Sequence, residues 1–410
     1  MIKKIKNFIS VSKVLYIKIK KKIILKRKGI YFLKDTIFKI LIFIKHLKYS
    51  LPKKNKYLIL DKRSKSLQEI FNIEKKSTIV ATRNEEFYIS IIFYSLIKYK
   101  FNFISDFYTC YIKTFIDYVS PSILLTYIHN NKRFWKISEN KNIRLLIFQN
   151  GYLGPNNETP NRNNTSKDTM FLTLTNERAD IYKNKGINSF AFGSVQSNSI
   201  PKNISKNKKK QIIFVSQFRN VNEKKIYDKN NYMDNLSFEE FYFYDKKLLK
   251  ISNIFAKDFN LNLKFLGMSN TKILIEKEKK FYSIDELNII FIKKHNTLKE
   301  KFKAIDESLM VIGIDSALLY ESLGRGKKTF FCTCRGYNKF GKSVRPFLDS
   351  KIDKKNGDFW TNVFEEQLIY DLLQKMYKKT KQKNNPDTNN DLKQVPYYNP
   401  INLGFIEKFI

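Results

Sequence analysis

Short apolar runs bounded by polar turns alternate along this chain with longer stretches whose apolar residues recur every three or four positions. The short runs read as buried parallel strands, the longer stretches as amphipathic helices. In the first half, strands are expected at 57–60, 78–82, 122–127, 144–148 and 171–174, with helices at 67–71, 87–99 and 177–185. In the second half, strands are expected at 211–215, 261–266, 289–292, 309–314 and 328–332, with helices at 238–259, 297–305 and 361–377. Such alternation predicts an α/β fold with mostly parallel sheets. A polar stretch at 199–210, with Pro201 and the run Lys208–Lys210, divides the pattern into two α/β units at 56–200 and 211–377. A zone at 1–55 precedes them, in which lysines interrupt every apolar run. A polar, low-complexity segment at 378–394 and an apolar one at 395–410 follow. Tyr397, Tyr398, Leu403, Phe405, Ile406 and Phe409 give the last segment a reason to be ordered, and it is expected to pack back near the hinge between the units.

The densest chemistry lies at 309–332. An apolar strand leads into Asp315 and Ser316, both good N-cap residues, and a helix beginning at Ala317. Leu318, Leu319 and Leu323 can face a sheet, Gly324 and Gly326 end the helix, and 328–332 returns as a strand. A helix N-terminus at the carboxyl end of a parallel strand offers the N–H groups of Ser316 and Ala317 to a phosphate. Glu321, about one turn in, can accept hydrogen bonds from sugar hydroxyls. An ordinary strand–helix–strand unit with a solvated glutamate has the same local pattern.

Other candidates sit at strand ends. Arg219 follows the strand 211–215, while Lys293, Lys294 and His295 follow 289–292, where cations can neutralise a diphosphate leaving group. Gln149, Asn150 and Gly151 follow 144–148 and can line the acceptor side, although Asn-Gly also forms plain turns. For a general base the chain offers His129, Glu85 or Asp117. Arg325 and Lys327 can satisfy helix C-terminal carbonyls.

The chain has 410 residues, 42% hydrophobic and 15% aromatic, enough for well-filled cores. Its net charge of +39 exceeds what an AT-rich codon bias explains, and points to an anionic partner. The basic amphipathic zone at 1–55 suits the anionic inner leaflet of a membrane. No uncharged run reaches the ~18–20 residues that span a bilayer, and no sustained apolar region marks a signal peptide. Three cysteines and three histidines make no convincing zinc site. Cys332 and Cys334 read as packing residues of a reducing, cytosolic chain. No metal or cofactor is required by these residues. No zinc finger, RNP-like strand or helix-turn-helix is found, so no nucleic acid is expected as a partner.

The segment Asp315-Ser-Ala-Leu-Leu-Tyr-Glu-Ser-Leu-Gly-Arg-Gly-Lys-Lys resembles the donor-site helix of GT-B glycosyltransferases, where a glutamate precedes a glycine that closes the helix. More narrowly, the chain resembles bacterial O-antigen and surface carbohydrate biosynthesis proteins. That resemblance rests on Asp61, Ala81-Thr-Arg-Asn-Glu, Pro121-Ser-Ile-Leu-Leu-Thr-Tyr-Ile-His-Asn-Asn, Phe148-Gln-Asn-Gly, Phe192-Gly-Ser and Val215-Ser-Gln-Phe-Arg. It continues through Gly357-Asp-Phe-Trp-Thr-Asn and Tyr398-Asn-Pro-Ile-Asn, in order from about residue 57 to the C-terminus. His129 stands where the pattern carries an aspartate. The resemblance implies two Rossmann-like domains facing a cleft, the first for an acceptor and the second for a nucleotide donor. It implies a glycosyltransferase of surface polysaccharide (O-antigen or capsule), using a nucleotide sugar and a glycan or lipid-linked acceptor at the cytoplasmic face of the membrane. In that reading Arg219, Lys294 and His129 are catalytic, and Ser316, Ala317, Glu321 and His295 bind the donor. Gln149, Asn150, Gly151 and Glu85 face the acceptor. A polyol-phosphate transferase of similar fold and a non-enzymatic nucleic-acid-binding protein are the alternatives.

Overall fold

A computed structural model describes residues 47–81, 86–100, 106–129, 132–135, 137, 142–151, 167–203, 210–218, 238–269, 271–292, 297–334, 354–381, 398–400 and 403–404. The chain divides into two compact units, one of residues 1–65 and 74–121 and the other of residues 66–73 and 122–410.

In the first unit, strands β1 (Leu47–Lys48), β2 (Tyr57–Leu60), β3 (Ser77–Val80) and β4 (Phe87–Tyr88) pair in parallel, β1 with β4 and β2 with β3. Helices α1 (Ile89–Tyr99) and α2 (Phe107–Val119) follow. The sequence pattern missed α2, because its run of aromatic and β-branched residues favours strands locally. Packing overrides that preference. Asp106 caps its first turn, and Tyr111 and Phe115 set their edges against Phe87 and Tyr88. Between the helices, Ser95 donates to Thr114 Oγ1 at 2.7 Å.

In the second unit, β5 (Ile123–Thr126), β6 (Arg144–Phe148), β7 (Thr169–Thr173) and β8 (Ser189–Ala191) run side by side, all parallel. Helices α3 (Asn176–Asn184) and α4 (Val195–Asn198) are capped by Thr175 and Ser194. Six further strands form a second parallel sheet: β9 (Gln211–Val215), β10 (Asn262–Leu266), β11 (Ile290–Ile292), β12 (Met310–Gly313), β13 (Lys328–Cys332) and β14 (Trp360–Thr361). Their order is β11-β10-β9-β12-β13-β14. Counted from β9, this is the 3-2-1-4-5-6 order of a doubly wound Rossmann sheet, with its topological switch between β9 and β12.

Five helices accompany this sheet: α5 (Phe238–Asp258), α6 (Lys272–Tyr282), α7 (Leu298–Glu307), α8 (Ala317–Gly324) and α9 (Glu366–Lys381). Strand alternation decides which cover which face. Ile212, Phe214, Met310 and Ile312 join a core with Leu248 and Phe255 of α5 and Leu373 of α9. Ile213, Val215 and Val311 join the opposite core with Phe302 of α7 and Leu319 of α8. Cys332 and Cys334 are buried in the first of these cores, as packing residues, and burial raises the Cys332 thiol pKa.

The observed elements depart from the sequence pattern in places. The helix expected at 361–377 starts at Glu366, because Trp360 and Thr361 pair with Phe331 and Cys332 as an edge strand. Helix α6 and strand β8 had no counterpart in the pattern. Helix α8 ends at Gly324, and Gly326 turns the chain in the left-handed region at φ 77°, as expected of the two glycines. The residues at 1–46 and the polar segment at 382–394 lie outside the described residues.

Arg325, just past α8, is 3% exposed and is the hub of a buried network. Its guanidinium grips both carboxylate oxygens of Asp306 and donates to the carbonyls of Ser197 at 2.9 Å and Ile200 at 3.0 Å. Its planar face lies 4.7 Å from the ring of Tyr398, whose hydroxyl accepts from Lys202 N at 3.0 Å. Asn399 N donates to Asn198 Oδ1, so this piece of the C-terminal segment docks on the stretch after α4. Lys327 likewise donates to the carbonyls of Asp306 and Ser308. Both cations thus serve carbonyls at or just beyond the C-terminal ends of two other helices, α4 and α7.

Candidate functional site

Parallel strands deliver their carboxyl-end loops to one edge, and ligands in such sheets bind there. In the second unit one cavity is lined by residues from several of these loops. Tyr127 follows β5, Gln149, Asn150 and Gly151 follow β6, Leu174 follows β7, and Ser194, Val195 and Gln196 follow β8. Lys301 of α7 and Ala317, Leu318, Tyr320 and Glu321 of α8 complete the lining. Helix α8 starts directly beyond β12, beside the switch point.

Ser316 is the N-cap expected of it, its hydroxyl accepting from Leu318 N at 3.3 Å. Ser316 itself is buried, whereas Ala317 is exposed and lines the cavity. Glu321 stands four residues further along the same helix. Its Oε1 accepts from Ser194 Oγ at 2.6 Å, and its Oε2 lies 3.8 Å from Lys301 Nζ. Lys301 also reaches Gln196 Oε1 at 3.4 Å. A carboxylate offers about four lone-pair positions, so these two partners leave acceptor capacity toward the cavity. Tyr127 lies deeper: burial drives its phenol pKa well above the ordinary range, and the nearby Glu321 charge adds to the effect.

The loop after β6 is held from behind. Gln149 accepts from Leu174 N at 3.0 Å and donates to Gly151 O at 3.1 Å, so its amide is committed to the loop. Gly151 has φ 88°, the turn geometry that glycine supplies cheaply. Asn150 is exposed, and its N–H donates to His129 Nδ1 at 3.3 Å. Burial lowers the His129 pKa, which suits a neutral ring accepting that bond. His129 therefore braces the Asn150 loop and is not part of the lining.

The structure thus brings together Gln149, Asn150, Gly151, Ala317 and Glu321, with Ser316 as cap and His129 behind. Arg219, Lys294, His295 and Glu85 lie outside the described residues. Sequence reasoning missed Tyr127, Gln196 and Lys301. Ser194 was within reach, as the last residue of the motif Phe192-Gly-Ser. It also missed Glu278, a fully buried carboxylate of α6 that accepts from Ser216 Oγ at 2.6 Å and from the amides of Met268 and Ser269. Glu278 ties the loops after β9 and β10 together. Among the described residues, no group of three or more His, Cys, Asp or Glu could hold a metal ion, and no helix is long and apolar enough to cross a membrane.

No curated protein matches this chain in sequence. Among solved structures, it is similar to a "putative UDP-N-acetylglucosamine 2-epimerase" from Listeria monocytogenes, with a TM-score of 0.50 and 12% identity over 86% of this chain and 95% of that one. The UDP-GlcNAc 2-epimerase of Methanocaldococcus jannaschii, solved with UDP-GlcNAc and UDP, gives 0.47 and 13% over 86% and 98%. A variant of the wall teichoic acid polymerase TagF gives 0.49 and 12% over 93% and 96%. At such identities the likeness concerns the fold alone, which is GT-B-like. Over residues 146–409, more than half of the chain, the sequence matches the model of a family described as "putative O-antigen biosynthesis protein", and the protein belongs to that family.

Proposed function

We propose that this protein is a glycosyltransferase of bacterial surface-polysaccharide synthesis, taking its sugar from a nucleotide-activated donor held in the cavity at the start of α8. The observation that carries this reading is the placement of Glu321 and Ala317 on one helix, both lining the same cavity. The helix N-terminus favours a diphosphate through its amides and dipole. Glu321 accepts hydrogen bonds from the hydroxyls of the nucleotide's ribose or of the sugar, and Lys301 adds positive charge beside it. The anomeric carbon–oxygen bond to the diphosphate breaks with its electron pair leaving on the phosphate oxygen. A new bond forms to an acceptor hydroxyl approaching past Asn150 and Gly151, and the proton of that hydroxyl passes to the departing diphosphate or to water. Stabilising the departing diphosphate is the main catalytic demand, and the sequence offers Arg219, Lys294 and the Ser316 helix terminus for it. The acceptor is a glycan or a lipid-linked saccharide.

The test is a thermal-shift panel of nucleoside diphosphates and nucleotide sugars, followed by incubation of any stabilising sugar nucleotide with and without acceptor glycans. The expected result is stabilisation by one nucleotide class, and sugar transfer that requires acceptor. Change of the sugar's configuration without any acceptor would replace the transferase reading with an epimerase one. Transfer from a nucleotide-linked polyol would replace it with a polyol-phosphate transferase. Stabilisation by none of the panel would remove the donor site.

A further inference from the structure

Helix α1 is apolar on both faces, with Ile91 fully buried on one and large apolar residues exposed on the other, which a helix that only covers a core does not need. A surface helix ordinarily turns its apolar stripe inward and its polar stripe outward. Here the inward positions include Ser95, which is fully buried and hydrogen-bonded to Thr114 and to the Cys110 carbonyl. The outward positions carry Phe93, Leu96 and Ile97, spaced three and four apart, with Phe93 61% and Ile97 73% exposed. Tyr94, also exposed, stacks on Tyr118 of α2 with ring centroids 6.2 Å apart.

Cations frame this face. Lys54 Nζ lies 5.2 Å above the Tyr118 ring, and Lys98 and Lys100 are exposed at the helix's C-terminal end. Lys98 is paired with Asp117 at 2.6 Å. At the other end of the helix Tyr88 is the N-cap, next to Phe87, which pairs with Leu47.

We propose that the outward face of α1 docks on an anionic lipid bilayer, with Phe93, Leu96 and Ile97 entering the interfacial region and the lysines meeting lipid phosphates. Exposed apolar side chains in such a cluster mark an interaction surface, and a helix with apolar residues flanked by lysines suits a membrane interface. Charge selects the occupant. A second copy of a chain carrying +39 is repelled. An anionic surface is attracted, and long lysine side chains can lie along it with their ammonium groups in the phosphate layer. The inference concerns the first unit and does not rest on the nucleotide reading of the cavity in the second.

The test compares full-length wild type with the triple variant F93Q/L96Q/I97Q, which leaves net charge unchanged and uses a good helix former at exposed positions. Co-sedimentation is measured with vesicles of phosphatidylcholine alone and of phosphatidylcholine with phosphatidylglycerol, and thermal unfolding by circular dichroism checks the fold. The expected result is binding of wild type to the anionic vesicles, reduced about tenfold or more in the variant, with unfolding unchanged. A second variant, I97W, should shift its emission to the blue on addition of anionic vesicles. Equal vesicle binding by wild type and triple variant would overturn the proposal, as would a wild type that binds neither vesicle. So would a triple variant that changes from dimer to monomer while its vesicle binding is unchanged.

Discussion

Ser194 donates its hydroxyl to Glu321 Oε1 at 2.6 Å, joining the loop after β8 to the middle of α8 across 127 positions of sequence. The same hydroxyl accepts from Ser197 N and so caps α4. Glu321 is thus held toward the cavity by a residue that is itself fixed by a helix start.

Replacing Ser194 with Ala should free Glu321 and weaken nucleotide-sugar binding. One hydrogen bond to a charged acceptor is worth about 1.5–3 kcal/mol, or roughly ten- to a hundredfold in affinity. Glu321→Ala should weaken binding at least as much and leave the fold intact, since its side chain sits at the cavity wall. Isothermal titration with whichever nucleotide stabilises the wild type measures both. An unchanged affinity in Glu321→Ala would take this helix out of the donor site.

Arg325→Met should be far more damaging to stability than any change at the cavity. It takes the paired cation from the Asp306 carboxylate, which is nearly inaccessible and keeps the N–H of Asn203 at 3.0 Å, and removes donors from the carbonyls of Ser197 and Ile200. Losing one partner of a buried pair costs about 3–5 kcal/mol. Arg325→Lys should recover little, because an ammonium cannot reproduce the two-pronged grip on Asp306 or the flat contact with Tyr398. Urea unfolding of the three proteins tests the point, and a variant within 1 kcal/mol of wild type would contradict it.

Much of this architecture was legible because parallel buried strands announce themselves. The runs 57–60, 144–148, 211–215 and 328–332 coincide with β2, β6, β9 and β13 residue for residue. The cap at Ser316 and the position of Glu321 were also readable, since capping and helical spacing are local rules. Lys301 was not, for a physical reason: in a chain with 77 lysines and arginines, no single lysine stands out until α7 is packed beside α8. Glu278 was hidden likewise, in a helix whose polar residues are mostly exposed, because its three donors come from loops after two other strands.

His129 gives a pH dependence of definite sign. Burial lowers its pKa below the ordinary histidine value of 6.5, with a contact to the Tyr127 carbonyl only partly offsetting that. The unfolded chain therefore takes up this proton more readily than the folded one. Its contribution to stability is constant above about pH 7, falls as pH drops through about 6.5, and levels off below the folded pKa. Protonation would also cost the bond from Asn150 N. His129→Gln should remove this part of the pH profile while the carboxylate-driven loss at lower pH remains. Urea midpoints from pH 5 to 8 would show it, and identical profiles for the two proteins would exclude His129 as the source.

Tyr398 offers the sharpest test of what the C-terminal segment does. Its hydroxyl accepts from Lys202 N and donates to Ile200 O at 3.1 Å, so Tyr398→Phe breaks two bonds while keeping the ring. At about 0.5–1.5 kcal/mol per bond, a loss of roughly 1–3 kcal/mol is expected. Tyr398→Ala also removes the ring from the faces of Arg325 and Lys202, at 4.7 and 4.6 Å, and should cost more. The two residues share partners in Ile200 and in each other, so their effects should not add. Once Arg325 is Met, the ring has lost its cation and the Ile200 carbonyl one of its donors, and Tyr398→Ala should then cost less than it does in wild type. A double-mutant cycle by urea unfolding reads that coupling directly. Strict additivity would mean that Tyr398 and Arg325 stabilise the fold independently, and that the segment is not locked by the Arg325 hub.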